Sequence, residues 1–132
     1  MAKVYLVQEV PIIKYSNNPE EIGKPKLDIT PAIKYGEIVV ISKRLAQMQF
    51  SPGPLILEIK EKLKDFNPEE DYVLNYGDPN IIQSVGSILA IKFKKYKTLK
   101  WDRRQESYYS IEMDFANISW HWKNLVYTNK CN

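Results

Sequence analysis

Cysteine and histidine are almost missing from this chain of 132 residues, and glycine is sparse. Each shortage closes a line of chemistry. The single cysteine, Cys131, is the penultimate residue and has no partner for a disulfide, which points to an intracellular, reducing compartment. The single histidine, His121, stands between Trp120 and Trp122, with no nucleophile and orienting acid beside it of the kind a histidine-based triad needs. One cysteine and one histidine cannot build a zinc site from nitrogen and sulfur ligands. An all-carboxylate site would fall to Asp78 and Asp102, each near a strand end, and Asp78 is explained more simply as a helix cap.

Glycine-rich loops are missing too. A phosphate cradle needs free backbone N–H groups between a strand and a helix, but the turn here reads Tyr76-Gly77-Asp78-Pro79. The aspartate carboxylate fills the helix terminus and the proline removes a donor, so no nucleotide cofactor is expected. No apolar run approaches the 18 or so residues of a membrane span. The N-terminal MAKVYLVQEV is a strand pattern rather than a leader peptide. These exclusions favour a protein with no cofactor, no metal, no membrane contact and no catalytic residue: a non-enzyme.

What remains is an ordinary globular composition. At 44% hydrophobic and 27% charged residues, the chain can bury one core without staples. Lysine outnumbers arginine by 16 to 3, and isoleucine and asparagine are frequent, the mark of an AT-rich genome. That dilutes the meaning of the net charge of +3. Its distribution is nevertheless uneven. Residues 92–104 carry Lys92, Lys94, Lys95, Lys97, Lys100, Arg103 and Arg104 against Asp102 alone, whereas residues 65–78 carry five acids and no base.

Periodicity supplies the elements. Residues 3–10 read as a strand with Val4, Leu6 and Gln8 on one face and Tyr5 and Val7 on the other, hence covered on both sides. Residues 11–28, with Pro11, Pro19, Gly23 and Pro25, form a flexible insertion loop. Asp28 or Thr30 caps a short helical turn at Pro31, which Gly36 stops. Residues 37–42 (EIVVIS) form a β-branched strand, and residues 45–50 pair with it as a hairpin.

The spacing predicts a helix over 54–66, with Leu55, Ile56, Ile59, Leu63 and Phe66 on one stripe. After a strand at 72–76, Asp78 caps a second helix over 79–93. Its apolar residues lie nearly all round, so it is expected to be buried, with Gly86 allowing close packing against a neighbour.

The stretch TLKWDRRQESYY, residues 98–109, joins two runs of period two and reads as a β-hairpin with its loop at 103–107. Trp101 and its odd-numbered companions face the core, and Asp102, Arg103 and Arg104 lie at the exposed tip. The expectation is a single small α/β or α+β domain over 1–115. It has one mixed sheet of about five to seven strands, two main helices (54–66 and 79–93) and a C-terminal β-hairpin. Residues 116–132 are an aromatic extension packed on that domain.

One surface carries functional weight. Lys94, Lys95, Lys97, Lys100, Arg103 and Arg104 would track a phosphate backbone while Tyr96 and Tyr108, with Trp120, stack on bases. The competing reading is that the lysines complement the C-terminal dipole of the second helix. Asp78, Gly86 and Trp101 are assigned structural roles.

Taken in order, VYLVQE, ITPAIKYGEIVV, the SPGP-led helix, the YGDP-led helix and LKWDRRQESYYSIEMD resemble a group of small proteins encoded by tailed bacteriophages. The resemblance spans residues 3–115. It implies a phage origin and a location in the host cytoplasm, and it carries over no catalytic residue. The function expected is that of a non-enzymatic phage accessory protein that binds a protein partner, either a host factor or a phage replication component. The alternative is a single-stranded nucleic-acid-binding protein using residues 92–104. A homodimer is compatible with either.

Overall fold

The structure is a computed structural model that describes residues 1–43 and 53–116. β1 (Lys3–Gln8) has four consecutive apolar residues, Val4 to Val7, and all four are buried. That pattern requires cover on both faces and a neighbour on both edges. Both are present: β1 pairs in parallel with β2 (Glu37–Ser42) on one edge and with β3 (Tyr72–Leu74) on the other. β4 (Lys95–Asp102) continues in parallel beside β3, and β5 (Ser107–Asp114) closes the sheet antiparallel to β4. The order is β2-β1-β3-β4-β5.

One face of the sheet is covered by α1 (Gly53–Lys62) and α2 (Pro79–Phe93). Tyr5, Val7, Ile41 and Val73 from the strands meet Ile59 of α1, Leu63 and Phe66 of the turn that follows it, and Ile81, Val85 and Leu89 of α2. The opposite face carries Val4, Leu6, Leu74, Leu99 and Tyr108 and is covered by the 3-10 helix Thr30–Tyr35 through Ala32. Asp28 Oδ1 accepts the Thr30 N–H at 2.9 Å at the entry to that helix. At its exit, a side chain on Gly36 would collide with the Ala2 carbonyl, so only glycine fits there.

Several expectations need correction. α1 ends at Lys62 rather than at residue 66, because a tight turn follows. Leu63 still donates to the Ile59 carbonyl at 3.0 Å, and Phe66 then donates to Leu63. The turn is tied by Asp71, a buried carboxylate that accepts the Asn67 N–H at 2.8 Å and the Lys3 N–H at 2.9 Å. Leu63 and Phe66 are buried even so.

α2 is not buried all round. Ile81, Val85 and Leu89 are inside, while Ile91 is 82% exposed. The helices form a single layer, and the outer flank of α2 has nothing above it among the described residues. Gly86 does lie close to a neighbour: a Cβ there would stand 3.1 Å from the Tyr96 hydroxyl.

Trp101 does not face the core; it is 39% exposed. Period two identifies a buried face only when the other face is wet. Here both faces are covered near the middle of β4, so Tyr96 and Thr98 are buried on one side and Leu99 on the other. Near the end of the strand that cover thins out, and Trp101 lies there. The hairpin loop is shorter than expected, because Ser107 already pairs with Asp102.

Loop 11–28 folds back on itself. Ile12 bridges Pro25, Ile13 donates to Lys24 O and Lys26 donates to Pro11 O. The strand expected at 45–50 lies outside the described residues, as does the aromatic extension beyond Ala116.

Candidate functional site

Asp102 builds the end of the hairpin. Its Oδ1 accepts the Arg104 N–H at 2.9 Å, the local side-chain bond that makes aspartate a turn former. Glu106 takes a left-handed backbone, φ 49°, to bring the chain back into β5. Register then sets Trp101 opposite Tyr108, with ring centroids 4.9 Å apart and planes at 69°. Tyr108 is buried, and its carbonyl accepts the Tyr35 hydroxyl at 2.7 Å. That bond fastens the 3-10 helix to the hairpin and carries Lys34 to the same mouth. The result is an open depression of about 750 Å³ whose lining includes Lys34, Trp101, Asp102, Arg103, Arg104 and Tyr109. Three cations face one carboxylate, and Trp101 and Tyr109 are both substantially exposed. Lys34 is the residue that sequence reasoning missed. It is an isolated lysine far from the basic run, and nothing in its local pattern marks it.

The rest of the proposed basic surface does not assemble. Lys95 pairs with Glu112 at 2.6 Å. Lys97 donates to the Glu69 carbonyl at 2.6 Å with its ammonium 4.4 Å from the Tyr72 ring centre. Alternation along β4 puts these two on the opposite sheet face from Lys100. Lys94 is the left-handed cap of α2, with φ 63° and its N–H on Ala90 O. Lys92, in the last turn of α2, sits where a cation complements the helix dipole.

Tyr96 and Tyr108 are both buried and offer no ring face to a base. Burial pushes the Tyr96 phenol up, and burial together with the charge of Asp28 does the same for Tyr108. Stacking surface at this end of the sheet therefore comes from Trp101 and Tyr109.

The strand-to-helix turn is closed off internally. Asp78 Oδ1 accepts the Asn80 N–H at 2.8 Å, and the Asp78 N–H donates to Gln8 Oε1 at 2.7 Å. Gly77, φ 121°, is where a side chain would strike Gln8. Gln8 also donates from Nε2 to the Lys43 carbonyl at 3.1 Å, so one buried amide ties together the ends of β1 and β2 and the start of α2. Asp78 is thus engaged as a cap. Among the described residues no three His, Cys, Asp or Glu side chains are grouped as for a metal ion, and no helix is long and apolar enough to cross a membrane.

A second surface lies between α1 and α2. Leu63, Ile88, Leu89 and Ile91 line an apolar groove of about 320 Å³, with Lys60 at one side and Lys92 at the other. Leu57, one helical turn before Lys60, is 67% exposed. Sequence reasoning missed this groove because it treated α2 as enclosed.

Residues 2–115 match the model of a family described as phage Pam3 gp32-like protein. No curated protein and no solved structure matches the chain.

Proposed function

The chain belongs to the phage Pam3 gp32-like protein family, and from that premise we propose that it is a non-enzymatic accessory protein that binds a protein partner in the host cytoplasm. The partner is a host factor or a component of phage replication. The observation that carries this reading is the groove between α1 and α2, apolar at its floor, with Ile91 standing 82% exposed at its edge. An isoleucine left in water forgoes about 1.5–3 kcal/mol that burial would supply, so a partner that covers it gains that stabilisation. Lysines on both sides select for acids. The complementary partner is an amphipathic segment with one large apolar side chain flanked by Asp or Glu.

The test is a photo-crosslinking side chain placed at position 91 in protein expressed during infection, followed by identification of the crosslinked chain. The purified partner is then titrated against wild type and Ile91→Asp. Binding should weaken at least tenfold in the variant and should fall with added salt. A crosslink only to a second copy of this chain, with a concentration-dependent dimer that Ile91→Asp abolishes, would replace the heterologous partner with self-association. No crosslink at all would overturn the reading.

A further inference from the structure

We propose that the end of the β4–β5 hairpin is a second, separate site that binds single-stranded nucleic acid, with a base stacked on Trp101 and the flanking phosphates held by Lys34, Arg103 and Arg104. Four observations support it. Trp101 is exposed yet held in place by its edge contact with Tyr108, so little side-chain freedom is lost when a base covers it. The cations come from two distant segments, and the Tyr35–Tyr108 bond fixes one against the other. Asp102, the carboxylate in the lining, accepts the Arg104 N–H and is outnumbered there by three cations. Finally, none of Lys34, Arg103 and Arg104 forms an ion pair with another described residue, in contrast to Lys95.

The shape of the site sets the ligand class. A depression of about 750 Å³ that opens widely to solvent does not enclose a small molecule, which pockets commonly bury by more than two-thirds. It does admit an unstacked base beside a charged backbone, the arrangement that tolerates any sequence. A duplex keeps its bases stacked on one another and cannot offer one to Trp101.

The experiment follows the anisotropy of a short fluorescein-labelled oligothymidylate at low ionic strength, with a salt titration. Trp101→Ala should weaken binding roughly 5- to 150-fold, the loss of one aromatic–base stack. Trp101→Phe, which retains a ring, should recover most of that loss and guards against a folding defect in the alanine variant. Arg103→Ala with Arg104→Ala should lower the salt slope by about 0.7 for each phosphate contact removed. Lys95→Ala with Lys97→Ala should leave the slope unchanged, because those side chains are engaged elsewhere.

The proposal fails if wild type shows no salt-sensitive binding to the oligothymidylate. It fails equally if binding follows Lys95 and Lys97 and ignores Trp101. Competition by polyglutamate as effective per charge as the oligonucleotide would reassign the tip to acidic proteins. A matched duplex binding as tightly as the single strand would remove the stacking step.

Discussion

Asp78 and Asp102 each open a turn in the same way: a carboxylate oxygen accepts the N–H two residues ahead, at 2.8 Å from Asn80 and at 2.9 Å from Arg104. Locally they are the same device. Around Asp78 everything is occupied, because its own N–H is bonded to Gln8, Gly77 leaves no room for a side chain and a helix follows. Around Asp102 little is covered, with Trp101 half in solvent, two arginines in the turn and Lys34 arriving from another segment. The same short-range chemistry therefore serves a structural joint at one place and a presented surface at the other. What separates them is how much of the rest of the chain packs on top.

The largest effect expected is global and alkaline. Tyr5, Tyr96 and Tyr108 are buried phenols, and burial raises each above its ordinary value of 10.0, aided at Tyr5 by Asp71 and Asp65 and at Tyr108 by Asp28. A folded pKa above the unfolded one means that the folded state holds the proton longer. The stability this contributes is complete below pH 10.0 and is lost as pH rises through the folded values. Circular dichroism at rising pH should show cooperative unfolding, with the midpoint moved upward in Tyr96→Phe. An unmoved midpoint would mean that Tyr96 does not control the transition.

Tyr108 tests the root of the exposed tip. Tyr108→Ala removes a buried ring and should cost about 3–5 kcal/mol in denaturant unfolding. Trp101→Ala, directly opposite it on the ladder but 39% exposed, should cost only about 1–2 kcal/mol. Equal costs would erase the distinction between a packed root and an open tip.

At the occupied joint, Gln8→Ala leaves the Asp78 N–H and the Lys43 carbonyl without their partner and should cost about 1–3 kcal/mol. Asp78→Ala should cost about 0.5–2 kcal/mol, the usual range for a lost N-cap. Asp102→Ala makes the same chemical change in a turn free to re-form with water and should stay within about 0.5 kcal/mol. Thermal melts of the two alanine variants side by side measure the comparison directly. Coincident melts would mean that the surroundings of the two aspartates make no difference to their contribution.

Much of the frame was legible in the residues. β-branched and apolar runs marked β1 and β2, the stripe Ile59–Leu63–Phe66 marked the packed side of α1 and its following turn, and Asp78-Pro79 marked the start of α2. Cover on both faces of β1 also followed from its unbroken apolar run. The hairpin, too, followed from two runs of period two separated by polar residues. The surfaces were less legible. The basic run looked continuous in one dimension, yet strand alternation sent Lys95 and Lys97 to one face and Lys100 to the other. Tyr96 and Tyr108 looked like stacking rings, yet both were drawn into the core.

The sequence by itself determined each element whose signal is local: backbone propensity, a cap, a proline and the spacing of apolar residues act over a few positions and are read there. Only the tertiary structure decided which of those residues meet water. Trp101 is exposed because β4 runs past the edge of its cover, and Ile91 because no third helix lies over α2 among the described residues. Lys34 joins Arg103 and Arg104 because a single hydroxyl, that of Tyr35, reaches 73 positions along the chain to the Tyr108 carbonyl. Burial and juxtaposition depend on what packs from elsewhere, and a local pattern carries no record of that.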